Sequence, residues 1–326
     1  MSTAPTSSEA SDMSSLLTRR KSGLPADLRT QKDLAALKIR PRFGIAQWVS
    51  IGVAIYLGLT LIQFFVFNEN WKWDVVFSYL FSQVIMNGLL NTIYLTLLTT
   101  FFGLILGVIT AWARMSSLVV LRTFAVLYIW LMRAMPPLVM LLVVFFFGAL
   151  VPTLGIGIPF GPSFAEVPTN DVISRFSAAI IGLSIYLGAY SAEIFRGGIL
   201  ALPSGQFEAC KSLGLPPFKA YQKILGPQLI RVIIPSLAND VITIFKSTSL
   251  VSVIGYTELL TTVQTIYARN FETIPLLMVA VIWYLVLTSI AMFGQARLEK
   301  RFGRGFARRN QGSPKAALEN AAKEDL

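Results

Sequence analysis

The chain has 326 residues, 54% of them hydrophobic and only 14% charged, against roughly a quarter charged in an ordinary soluble domain. Its formal charge is +11, its single cysteine is Cys210, and it has no histidine. These values exclude an intrachain disulfide framework and remove the usual general base, metal ligand and neutral-pH switch.

Residues 1–42 are Ser/Thr-rich and then basic, with Arg19, Arg20, Lys21, Arg29, Lys32, Lys38, Arg40 and Arg42. They contain no signal-peptide core and read as a disordered cytoplasmic tail. A first apolar span is expected near 45–67, inside an additional N-terminal transmembrane segment, 43–70. The loop NENWKWD leads to an interfacial amphipathic piece near 75–86, and a second span covers about 88–112. After a tight return at ARMSS, the third span, 117–150, is too long for one upright helix and is broken at Pro136-Pro137. A Gly/Pro-rich loop, 151–175, precedes the fourth span at 177–199. A polar, basic stretch follows at 200–228. The fifth span is about 229–254, then comes a polar loop with short helices, and the sixth span is about 276–295. The cytoplasmic tail, 303–326, is basic and then Ala/Glu/Lys-rich. Runs of about 18 residues or more can cross a hydrocarbon core of roughly 30 Å, and the alternation of a membrane barrel is absent. The fold class is an all-α polytopic membrane protein.

Loop charge sets the orientation. The N-terminal tail, the turn at Arg114, the 200–228 loop and the C-terminal tail carry excess Lys and Arg, whereas 68–87 and 151–175 are neutral or acidic. Six spans with both termini in the cytoplasm satisfy the positive-inside rule at every loop. The basic charge is thereby accounted for by the lipid membrane, with no nucleic-acid partner.

Within 200–228, QFEACKSL can form two helical turns that stop at Gly214, a natural C′ residue. Pro217 can open a second short helix, where its missing N–H costs nothing. Phe218, Tyr221, Ile224 and Leu225 then share one face at helical spacing, between Lys219 and Lys223. The segment reads either as a helix–turn–helix offering a docking surface or as an interfacial loop on the headgroups.

This stretch resembles the cytoplasmic loop of bacterial ABC importer permeases. Their signature runs Glu-Ala-Ala, three residues, Gly, nine residues, Ile, one residue, Leu-Pro. Here it reads Glu208-Ala209-Cys210, Gly214, Ile224 and Gly226-Pro227, with Cys210 for Ala and Gly226 for Leu, departures that leave turn and spacing unchanged. AYSAEIFRGGILALPSGQFEA, LGPQLIRVIIPSLANDVITIFKSTSLVSVIG and NGLLNTIYLTLLTTFFGLILG look like the polar amino acid group (histidine, glutamate, glutamine, arginine and opine importers). MRAMPPLVML looks like that group's Arg-Gly-Thr-Pro-Leu-Leu segment. The resemblance covers about 88–302. It implies a type I importer transmembrane domain over 86–298, a five-helix core to which the first span is an N-terminal addition. It also implies an ABC ATP-binding subunit whose groove receives the loop. Glu208, Ala209, Gly214, Pro217, Phe218, Tyr221, Ile224 and Pro227 would be the coupling residues. ATP would be bound by that partner, with no cofactor here. A periplasmic solute-binding protein would dock on 151–175 and 255–275. A second permease chain, identical or homologous, would complete the pathway in a bacterial inner membrane. The cargo would be a polar amino acid or related zwitterion.

Arg133, Glu193, Lys246 and, nearer the cytoplasmic end, Asp240 fall within spans. A charge at a helix centre costs about 2.5–3.5 kcal/mol on insertion scales, so such residues face a cavity or one another. They are structural ion pairs or a substrate site, where cations meet an α-carboxylate and an anion meets an α-ammonium. Glu193 and Arg196 lie within one turn of each other, which can occupy Glu193 locally. Asn239, Thr243 and Lys246 share a helix face at i, i+4, i+7, flanked by Ser247 and Ser249; each hydroxyl can also bond its own backbone. Arg133, Glu193, Asn239, Thr243, Lys246 and Ser247 are the candidate substrate residues. The family usually has Lys-Asp/Asn-Thr/Ser-Ser-Leu where this chain has Lys246-Ser247-Thr248-Ser249-Leu250. The lost anion points toward a neutral or acidic substrate. Pro136-Pro137 frees backbone groups, tolerated at depth only against protein or water, and Gly103/Gly107 form a GxxxG helix-packing signature.

No GxxxxGK[ST] phosphate loop is present, so the chain reads as a transport subunit, not an ATPase. The alternatives are an ion-driven secondary transporter, which inverted repeats would support though none is evident, and an intramembrane protease using a Ser–Lys246 dyad.

Overall fold

A computed structural model of the chain describes residues 44–158 and 163–303. The tail expected at 1–42 and all but the first residue of the tail expected at 303–326 lie outside the described residues. The chain divides into two units, at Asn68 and Glu69. In the first, α1 (Ile45–Val66) is a 22-residue helix with Ile45, Ile55, Leu59 and Leu61 among its exposed apolar side chains. A helix apolar on every side belongs in lipid or in a large core.

The second unit is built on helices. In chain order they are α2 (Trp73–Leu80), α3 (Gln83–Met115), α4 (Val119–Ala134), α5 (Pro137–Phe145), α6 (Phe147–Leu150), α7 (Thr169–Val172), α8 (Arg175–Leu200), α9 (Ser204–Ser212), α10 (Pro217–Ala220), α11 (Gly226–Ser247), α12 (Leu259–Asn270) and α13 (Thr273–Gly303). A two-stranded antiparallel hairpin, β1 (Thr153–Gly157) with β2 (Ser163–Pro168), interrupts them. Among the described residues five helices are long and apolar enough to cross a membrane, or six if the bent pair α4–α5 counts as one span.

The centre of the unit is the α3–α8 pair. Their backbones approach because α3 turns its small and hydroxyl residues inward: Thr92, Thr96, Thr99, Gly103, Gly107 and Thr110 are buried. Large residues on its other face, such as Phe101, Ile105 and Trp112, are exposed. A Cβ added at Gly103 would meet Leu187 at 2.7 Å, and one at Gly107 would meet Ser191 Oγ at 2.1 Å. The GxxxG pair therefore does what small residues do between apolar helices, where packing replaces the hydrophobic drive. Thr92 and Thr96 bond back along the helix, Thr92 Oγ1 to the Gly88 carbonyl at 3.1 Å and Thr96 Oγ1 to the Thr92 carbonyl at 2.8 Å, whereas the buried Thr99 hydroxyl has no partner among the described residues.

Two expectations shift and a third is met. The second span begins at Gln83, five residues early, because α2 ends at Leu80, whose carbonyl accepts from Trp283 Nε1 at 2.8 Å. The 151–175 loop contains the hairpin, whose exposed glycine-bearing strands hide the alternating pattern of a half-buried strand. The third span is broken at Pro136-Pro137 as expected: α4 and α5 meet at 109°, and α5 turns Leu141 onto α8, where it touches the position of Gly182. Proline both removes a helical donor and clashes with the preceding turn, so the bend falls where the prolines are.

Candidate functional site: a closed knuckle and a cavity at α8

At the knuckle, α9 ends in a crossed pair of bonds, Leu215 N–H to the Cys210 carbonyl (3.1 Å) and Gly214 N–H to the Lys211 carbonyl (3.0 Å). Gly214 has φ +63, the left-handed conformation this C-terminal motif demands and glycine adopts without cost. Pro217 opens α10. The two short helices close over a small core of Leu202, Cys210, Ala220 and Leu225, with Phe207, Leu215, Ile224 and Leu229 packed on it. Gln228 Nε2 ties the knuckle to α9 through Gln206 Oε1 at 3.3 Å. At the end of α8, Gly198 admits Ile233 and Leu229 of α11 so closely that a Cβ would sit 2.2 Å from Ile233.

The outer face carries Glu208, Ala209, Pro217 and Tyr221, with Leu213 73% and Phe218 77% exposed. Pro227 is exposed on the first turn of α11. Ile224 is half-buried and Leu225 is buried, so the four-residue face expected from helical spacing is split. The cause is a π-turn, Tyr221–Leu225, closed by the Gly226 N–H on the Tyr221 carbonyl. Gly226 is thus not a neutral departure from the family pattern: a Cβ there would lie 2.4 Å from the Tyr221 oxygen.

The membrane candidates separate into three groups. Glu193 accepts from Arg114 and, at 3.0 and 3.2 Å, from Arg196; its carboxylate is occupied by two guanidinium groups. Arg133 lies over the Tyr190 ring, 5.2 Å from its centroid, a cation–π distance. Tyr190 packs against Tyr186, ring centroids 4.7 Å apart and planes tilted by 43°, and both rings line a cavity of about 170 Å³ with Asp240 and Thr243. Asp240 Oδ2 is buried there and, among the described residues, accepts no hydrogen bond. Such an atom demands a partner. Lys246 instead lines a larger, mostly apolar groove of about 690 Å³ between α11 and α13, with Ser249, Tyr284, Thr288 and Ser289. Asn239, Thr243 and Lys246 do share one exposed strip. The hydroxyls of Thr243, Ser247 and Ser249 bond to the carbonyls of Asn239, Thr243 and Lys246, at 3.0, 2.9 and 2.7 Å.

Tyr186, Tyr190 and Glu258 are not among the residues expected from the sequence. Tyr186 and Tyr190 stand four apart on α8, a spacing that could have been read. Glu258 is wholly buried and caps α12, taking Leu260 and Thr261 N–H at 3.0 and 2.7 Å and the Tyr284 hydroxyl at 2.8 Å. Burial pushes its carboxyl up, against those bonds. With the Thr92 hydroxyl of α3 at 3.5 Å, its partners come from α3, α12 and α13, and only the tertiary fold assembles them.

Residues 103–304 match the family described as binding-protein-dependent transport system inner membrane component. The chain belongs to that family. It is a membrane-embedded permease subunit of an ABC importer and not an enzyme, which removes the ion-driven and protease alternatives. Among its relatives is the arginine transport system permease protein ArgU of Corynebacterium glutamicum, 39% identical over 87% of this chain and 89% of that one. The L-cystine permease protein TcyB of Bacillus subtilis is 35% identical over 72% and 93%. The nopaline permease protein NocQ of Agrobacterium fabrum is 31% identical over 67% and 90%. A crystal structure of an amino acid ABC transporter with histidines superposes with a TM-score of 0.56 at 31% identity, covering 67% of this chain and 94% of that one. An inward-facing MetNI methionine ABC transporter, at 0.51 and 17% identity over 67% and 96%, shares the fold.

Proposed function

We propose that this subunit imports a polar amino acid and is driven by a separate ATP-binding subunit that grips residues 200–228. The single observation that carries the docking is the knuckle's construction. It buries its own apolar residues in a closed core yet leaves Leu213 and Phe218 outside, and exposed aromatic and aliphatic anchors on a rigid support are what a protein partner binds. ATP stays with the partner, and this chain uses no cofactor. Both termini are cytoplasmic, a binding protein delivers cargo to the hairpin and α12, and a second permease chain completes the pathway in the inner membrane. The chain divides at its first span, 43–70 being the addition and 86–298 the permease domain.

In the substrate reading, Arg133 receives the α-carboxylate and Asp240, flanked by Tyr186 and Tyr190, receives an ammonium or guanidinium group. A neutral or acidic cargo is expected from the missing anion beside Lys246, but Asp240 provides an anion in the separate α8 cavity. Relatives named for arginine and nopaline transport accord with a cationic group. The test is a complex with its ATP-binding subunit and binding protein in proteoliposomes, offered labelled arginine, cystine, glutamine and glutamate. ATP-dependent uptake of one of them is expected. Uptake without the ATP-binding subunit, or a Phe218→Cys thiol labelled from outside the cell, contradicts the reading.

A further inference from the structure

Gly226 departs from the leucine found at its place in the resembling loop, and it sits where the knuckle joins α11. Tyr221–Leu225 forms a π-turn closed by the Gly226 N–H on the Tyr221 carbonyl. A π-turn holds one residue more than an α-turn and recurs at functional positions in helices. Its effect here is visible in burial. Ala220 and Leu225, five residues apart, are both inside, at 5% and 2% exposure, and both pack with Cys210. Phe218 and Tyr221 remain outside. Five residues of α-helix would place positions 220 and 225 about 140° apart. The extra residue is absorbed locally, so the outer face of the knuckle and the polar strip of α11 keep a fixed mutual phase. That strip carries Asn239, Thr243 and Lys246, with Asp240 beside it.

Only glycine fits the joint. A Cβ at 226 would stand 2.4 Å from the Tyr221 carbonyl oxygen, a backbone atom that cannot swing aside. By contrast, a Cβ at Gly205, also in the knuckle, meets nothing within 4 Å. We infer that Gly226 is a positioning residue for coupling: by permitting the π-turn it locks the ATPase-facing knuckle to α11 in the phase that passes motion to the substrate cavity. The inference rests on the docking reading above.

The experiment uses the complete complex in proteoliposomes with three variants. Gly226→Ala forces the turn to open, so that the extra residue rotates the knuckle by about 100° about α11. It is expected to insert and retain the ATP-binding subunit, while substrate-stimulated ATP hydrolysis falls at least about fivefold, in the range of a typical coupling energy. Cys210, the only thiol and 5% exposed, should react faster with maleimide. Deleting Gln222 in the Gly226→Ala background removes the surplus residue, lets an α-turn close and restores stimulation; a merely structural defect would not be rescued by a second lesion. Gly294→Ala, on α13 where an added Cβ meets nothing within 4 Å, is expected to match the unaltered chain. Normal stimulation by Gly226→Ala, or no recovery in the deletion, overturns the joint. If Gly226→Ala fails to insert, the Gln222 deletion alone decides: coupling is retained if the phase argument holds and lost if it is wrong. Loss of the ATP-binding subunit from a Phe218→Asp complex reports on docking separately, so the two failures are distinguishable.

Discussion

The knuckle and the α8 cavity are built by opposite means. Every feature of the knuckle comes from within about two dozen consecutive residues: the left-handed Gly214, the proline starting α10, the π-turn ending at Gly226. The cavity draws Tyr186 and Tyr190 from α8 and Asp240 and Thr243 from α11, and Arg133 of α4 lies over the Tyr190 ring beside it. The first is self-contained and presents its surface outward; the second is left with an unpartnered carboxylate oxygen. A part that docks a partner can finish its own packing, whereas a part that must receive and release cargo keeps a polar group waiting.

The comparison can be broken at the knuckle first, where the largest effect is expected. Gly214→Arg places a side chain at φ +63, where no neighbouring atom lies within 4 Å of the added Cβ. The cost is therefore backbone strain and obstruction of the docking face, not internal clash. Uptake in vesicles should be abolished with membrane insertion intact, and a fully active variant would remove the knuckle from the mechanism. In the cavity, Asp240→Asn keeps shape and removes charge. A lost charge-assisted hydrogen bond should raise the half-saturating cargo concentration at least about tenfold while leaving the ATP-binding subunit attached. Unchanged half-saturation would move Asp240 to a structural role. The smallest effect belongs to Lys246→Ala, since Lys246 lines a different groove, with α13. Substrate-stimulated ATP hydrolysis should weaken modestly and half-saturation should rise less than for Asp240→Asn; the reverse ranking of half-saturation would place the cargo in that groove instead.

Legibility in the sequence follows the same division. The spans were readable because a long apolar run has little choice, and Gly103/Gly107 because close packing needs small residues at fixed spacing. Gly214 and Pro217 were readable because their backbone constraints are local. Ile224 and Leu225 were misplaced because helical spacing was assumed through a π-turn that one glycine makes possible. Glu193 was correctly suspected of a local partner in Arg196, but Arg114 comes from another helix 79 positions away. Asp240 is legible as an intramembrane charge but not as a candidate substrate residue, because the two tyrosines and Arg133 near it meet only once α4, α8 and α11 pack.

The account turns on the knuckle being the part a motor subunit holds. Its most direct test is a photo-crosslinking side chain at position 218 in the assembled complex, with position 126 on the exposed face of α4 as the control. A crosslink to the ATP-binding subunit from 218 and none from 126 is the predicted result. A complex that transports cargo yet gives no such product from 218 would contradict it.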